Sequence, residues 1–130
     1  MLINDRHAIV CERCVVAQRP FTRMKGLLGS RELPAGDGLL LLPAPSVHTL
    51  FMRFPIDVVF LDWGLKVIDV VEGLRPWRAA GRRRARAVLE LALGEARRRD
   101  VRAGDRLKLV DEEPAGPAVI FLPVAAGDER

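Results

Sequence analysis

Apolar positions in this chain fall into short runs bounded by Gly, Pro and Asp, and few of them hold a helical period for more than a turn. Residues 8–16, AIVCERCVV, carry β-branched residues at both ends and predict a first strand. Thr22 is placed to cap a short helix in which Met24, Leu27 and Leu28 share one face and Gly29 supplies the terminating turn. After the turn cluster at 33–38, the four leucines 39–42 are too few for a helix between Gly38 and Pro43 and predict a strand buried on both faces. Residues 47–52 and 56–61 predict two further strands, separated by a kink at Phe54-Pro55 because proline lacks the ladder donor and restrains its predecessor. Asp62-Trp63-Gly64 predicts a hairpin turn, with 65–71 as the returning strand.

Residues 73–86 are rich in Gly, Pro and Arg without any period and predict a long exposed loop. A strand is expected over 87–92, a short helix over 94–100 and a strand over 106–110. Residues 111–117 form a polar linker, and 119–124, interrupted by Pro123, an edge strand or a tail. Six to eight short strands with one or two short helices, and no βαβ alternation, define a mostly β (α+β) class whose natural closure is a compact β-barrel or roll. The domain is expected over 1–110, with 111–130 as linker and tail. The length of 130 residues suits one core without metal or disulfide staples.

Tyrosine is absent and aromatics make up 5% of the chain, so the core must be built mainly from Leu, Val, Ala and a few Phe. The net charge of +4 admits an anionic partner. Nearly all the basic residues are Arg, with lysine only at 25, 66 and 108, and part of that excess fits the coding bias of a GC-rich genome. The first residues lack the apolar stretch of a secretory signal and no run reaches the length of a membrane span, so a cytoplasmic location is expected. Two cysteines in that setting are expected as thiols or ligands rather than as a structural bridge.

Candidate chemistry is densest in residues 47–62, VHTLFMRFPIDVVFLD. His48 and Met52 fall on one face of the predicted strand, where imidazole and thioether suit a soft metal and imidazole with carboxylate suits proton transfer. Asp57 and Asp62 are at odd spacing and point apart; Asp62 is read as a turn cap, and Asp57 as either a site residue or an acceptor for a neighbouring backbone N–H. Cys11-Glu-Arg-Cys14 has the gap of half a zinc site, which His7 and His48 could complete, but strand alternation would send the two thiols to opposite faces. Arg75, Arg78, Arg82, Arg83 and Arg84 gather beside Trp77 in the predicted loop, a composition suited to phosphates and to base stacking. Gly-rich phosphate loops, serine nucleophile elbows and paired catalytic carboxylates are missing, so the residues favour a non-enzymatic role and no cofactor is expected.

Met24-Lys-Gly-Leu-Leu-Gly29, Leu33-Pro34, the leucines 39–42, the segment from His48 to Asp62, Val88-Leu-Glu-Leu91 with Gly94, and Val101-Arg-Ala-Gly-Asp105 occur in this order. Together they resemble the widespread prokaryotic family catalogued as domain of unknown function 192, over about residues 11–110. The resemblance implies a small, mostly β domain with a short helix after its first strand, and no established activity. Many relatives look exported or lipid-anchored, and Phe-Met-Arg-Phe-Pro-Ile-Asp replaces the Trp-Met-Lys-Asn-Thr type of segment common among them. Ala103-Gly104-Asp105 before a strand also resembles the GD box of cradle-loop barrels, with Gly104 and Asp105 forming a structural turn.

These observations lead to an expected binding or accessory domain of unknown ligand, with His48, Met52, Arg53 and Asp57 as candidate ligand-binding surface. Anion or nucleic-acid binding through 75–86 is the alternative, and a metal-dependent site around His48, with Cys11 and Cys14 as further ligands, the third. A monomer or weak dimer is expected.

Overall fold

The computed structural model describes residues 1–17, 33–49 and 54–110. The helix expected over 22–29, Met52, Arg53 and the segment 119–124 lie outside the described residues. Among the described residues, ten strands and one helical turn follow in chain order: β1 (Leu2–Ile3), β2 (Ile9–Cys11), β3 (Arg13–Ala17), β4 (Asp37–Leu41), β5 (Ser46–His48), β6 (Ile56–Leu61), β7 (Val67–Leu74), β8 (Ala79–Gly81), β9 (Ala87–Ala92), α1 (Glu95–Arg98) and β10 (Lys108–Leu109).

A five-stranded sheet in the order β3-β4-β9-β6-β7 forms the centre. Every residue of β6 and β9 is buried, because each strand has a neighbour on both edges and apolar packing on both faces. Alternation then divides their side chains between two layers. Leu40, Val59, Leu61, Leu89 and Leu91 join Leu2, Val10, Ala96, Val101 and Leu107 in one. Leu39, Leu41, Ile56, Val58, Phe60 and Val88 join Val47 and Phe54 in the other. Fully burying side chains of this size is worth about 1.5–3 kcal/mol each, which is what fixes the register of the central strands. A three-stranded sheet, β10-β1-β2, together with α1, covers the first layer, and the two-stranded ribbon β5-β8 covers the second.

The mostly β class expected from the pattern is what the chain forms. Among the described residues, however, the three sheets do not close into a barrel. The strand expected over 8–16 breaks at Glu12, where the backbone N–H groups of Glu12 and Arg13 both donate to the Gly36 carbonyl at 2.9 Å. That bend sends β2 into one sheet and β3 into another. The expected loop 73–86 is also not a loop throughout: β7 runs on to Leu74 and β8 pairs with β5, with Val47 opposite Ala80. β3 and β4 pair in parallel, Cys14 opposite Gly38, although no βαβ pattern pointed to a parallel pair. The two-residue strand β1 was too short to leave a period in the sequence.

Candidate functional site

Thr49 is the anchor of the most distinctive surface. Its backbone N–H donates to the Arg78 carbonyl at 2.8 Å, and its carbonyl accepts from the Trp77 N–H at 3.0 Å. The Thr49 hydroxyl donates to the Arg75 carbonyl at 2.6 Å and accepts from the Arg78 N–H at 2.9 Å. One buried residue therefore pins both ends of the 75–78 turn. Trp77, at the tip, is held at φ 63°, a left-handed conformation that large L-residues seldom adopt, and is 56% exposed. Immediately before Thr49, His48 ends β5 opposite Ala79, so two separate stretches of candidates in the sequence become a single ribbon.

Residues 75–86 contain six arginines and no acidic residue. Arg82 is half-buried, bonded through Nε to Asp69 at 2.7 Å and lying 5.0 Å from the centroid of the Phe60 ring. The Arg82 guanidinium holds the Asp69 carboxyl below the usual aspartate range. Arg75, Arg78, Arg83, Arg84 and Arg86 are exposed. Among the described residues, Arg75, Arg83 and Arg84 make no ion pair. The result is an anchored cationic ribbon with one structural arginine at its base.

Asp57 has a different setting. It is wholly buried, with Oδ1 accepting the Gly73 N–H and Oδ2 the Ala96 N–H, both at 2.9 Å. The carboxylate thus ties β6 to the end of β7 and to the first turn of α1. Asp62 accepts the Gly64 and Lys66 N–H groups at 2.8 and 2.9 Å and closes the β6-β7 turn.

Cys11 and Cys14 are free thiols, and both belong to the first core layer. Strand alternation had placed them on opposite faces; the bend at Glu12 cancels the alternation and turns them to the same side. β5, which carries His48, covers the other layer, so the structure does not bring its strand to the cysteines. No group of three His, Cys, Asp or Glu side chains suited to a metal occurs among the described residues.

The family model for DUF192, described as an uncharacterised ACR, matches residues 2–109. The chain belongs to the DUF192 family. It is 42% identical over 64 residues to a UPF0127 protein of Pyrococcus furiosus, covering 48% of this chain and 54% of that one. The corresponding Pyrococcus horikoshii protein is 39% identical over 64 residues, covering 48% and 55%. The chain spans about half the length of these curated relatives. Two solved structures share the fold. One is a protein of unknown function from Novosphingobium aromaticivorans, with TM-score 0.65, 22% identity and 74% of each chain covered. The other, from Sinorhizobium meliloti, is described as a "putative transcription regulator", with TM-score 0.67, 24% identity and 82% and 88% covered.

In this DUF192 domain, Gly104 adopts φ 96° and donates its N–H to the Val67 carbonyl at 2.8 Å. Asp105 accepts the Arg102 N–H at 3.0 Å and both outer nitrogens of Arg6 at 2.6 and 3.2 Å, so the turn is locked to β7 and to the N-terminal segment. Two buried acids were not singled out in the sequence. Glu90 lies at the middle of β9, fully buried between Leu39 and Val58, and its signal was a charge inside an otherwise apolar run. Glu95 accepts from Arg98 at 2.7 Å and Arg99 at 2.9 Å, and Arg99 reaches on to Glu12 at 2.8 Å. Arg98 above all, and Arg99 with it, hold the Glu95 carboxyl below the usual range. No helix among the described residues is long and apolar enough to cross a membrane.

Proposed function

We propose that this DUF192 domain is a non-enzymatic binding module whose contact surface is the β5-β8 ribbon, and that its partner is a phosphate-bearing polymer, best matched by single-stranded nucleic acid. The observation that carries the reading is the 75–78 turn: Thr49 holds an exposed indole at positive φ between Arg75 and Arg78, with Arg83 and Arg84, which make no ion pair among the described residues, just beyond β8. Positive backbone angles of this kind cost on the order of 1–3 kcal/mol and concentrate where a surface is organised for contact. Guanidinium groups supply charge to the phosphates, and an indole supplies a sequence-tolerant stacking platform. His48, at the end of β5, belongs to the proposed surface, whereas Asp57 alternates with Val59 and Leu61 toward the layer that α1 covers and is assigned a structural role.

The test is the affinity of the purified chain for a short single-stranded oligonucleotide, followed by fluorescence polarisation across a salt series. Three to four phosphate contacts predict a log–log salt slope of about −2 to −3. The triple variant with Arg75, Arg83 and Arg84 changed to Gln should lose most of the affinity and most of the slope. Trp77→Asn, which tolerates positive φ, should weaken binding by about 1–3 kcal/mol while leaving the slope in place. A salt-insensitive interaction, or a triple variant that binds as well as the parent, sinks the reading.

A further inference from the structure

We infer that Cys11 and Cys14 form a thiol–disulfide redox couple at the junction of the two larger sheets. The cysteines are 0% and 2% exposed and share one core layer, brought there by the Glu12 bend. β2 ends at Cys11 within the three-stranded sheet, and Cys14 sits in β3 of the five-stranded one. Gly38, directly opposite Cys14, leaves room for the pair: a Cβ there would come within 2.8 Å of the Cys11 sulfur. The two side chains share that space, so each acts on the other's thiol.

The pair is also asymmetric. Cys14, against the effect of burial and with help from the N-terminal charge, the Leu2 backbone and, last, the Arg99 charge, holds the Cys11 thiol below its usual range. Its partnership with Cys11 and its own burial raise Cys14 well above it. Cys11, the more readily ionised of the two, is the attacking thiol, and Cys14, beside it in the same layer, is the resolving one. The co-reactant is a low-molecular-weight disulfide. The Cys11 thiolate attacks one of its sulfurs, forming a mixed disulfide and expelling one small thiolate. Cys14 then gives up its proton and attacks the Cys11 sulfur, expelling the second small thiol. Two electrons and two protons leave the protein, and the small disulfide becomes two thiols. Leu2 of β1, a strand of two residues, lies opposite Cys11, so local opening of β1 is the access that the couple requires.

The experiment equilibrates the full chain with graded ratios of oxidised to reduced glutathione, quenches with acid, unfolds, alkylates, and records intact mass and the linked peptide. The chain has two cysteines, so the products are unambiguous. The expected result at the oxidising end is a species lighter by two hydrogens, resistant to alkylation, with Cys11 joined to Cys14 and fully restored by a dithiol. Cys14→Ser should instead stop at a stable glutathione adduct on Cys11. Double alkylation at every ratio at which the urea-unfolded chain oxidises overturns the inference. An adduct in the parent as persistent as in Cys14→Ser overturns it equally, and the parent measurement stands alone if that variant does not fold.

Discussion

Asp57 illustrates how much one buried side chain can organise. An Asn at this position keeps a single carbonyl oxygen, so one of the Gly73 and Ala96 N–H groups meets an amide NH2 instead of an acceptor. Leaving a buried donor unsatisfied costs about 1–3 kcal/mol, so Asp57→Asn is expected to lower the unfolding free energy measured in urea by that amount, with oligonucleotide affinity per folded molecule retained. Unchanged stability with lost binding would instead make Asp57 a contact residue. The sequence showed that a carboxylate between Ile56 and Val58 needed a partner, but not which one, because Gly73 and Ala96 approach only through tertiary packing. The cysteines show the opposite failure. Alternation along one strand predicts opposite faces for residues 11 and 14, but the bend at Glu12 depends on the Gly36 carbonyl, more than twenty residues away.

At the level of elements, strands with apolar neighbours on both sides were readable and strands defined by their partners were not. β9 coincides with its expected range, and β6 likewise, since unbroken apolar runs between turn residues have few other solutions. β8, Ala-Ala-Gly, has no pattern of its own and exists because β5 pairs with it. The ribbon's shape depends on Thr49 accordingly. Thr49→Val keeps the side-chain shape but removes the hydroxyl that joins Arg75 and Arg78, at a cost of about 1–3 kcal/mol. We expect faster hydrogen exchange at the Arg78 amide and about a tenfold loss of oligonucleotide affinity, about 1.4 kcal/mol, with every arginine still present. Affinity equal to the parent despite the faster exchange would mean that charge alone, without the pinned turn, accounts for binding.

Across the whole molecule, ion pairs join elements that the sheets leave separate. Glu95 and Arg99, both nearly buried, connect α1 to Glu12 at the β2-β3 bend, while Asp69 and Arg82 connect β7 to the ribbon. Arg98 and Arg99 lower the Glu95 carboxyl, Arg99 lowers Glu12, and Arg82 lowers Asp69. All three groups release their protons more readily folded than unfolded. In the acid range the unfolded chain therefore binds more protons, and stability rises with pH. Their contribution is complete above the ordinary carboxylate range and is lost as pH falls through the lower folded values. Glu95 should dominate, because its own carboxyl is nearly buried and one of its two partners, Arg99, is nearly buried with it. The urea midpoint should accordingly fall from pH 6 to pH 3, and Glu95→Gln should be less stable at pH 6 but lose less on acidification. Equal losses for variant and parent would remove Glu95 as the source and leave the acid response to Glu12 and Asp69, whose more exposed pairs predict a weaker dependence that added salt diminishes.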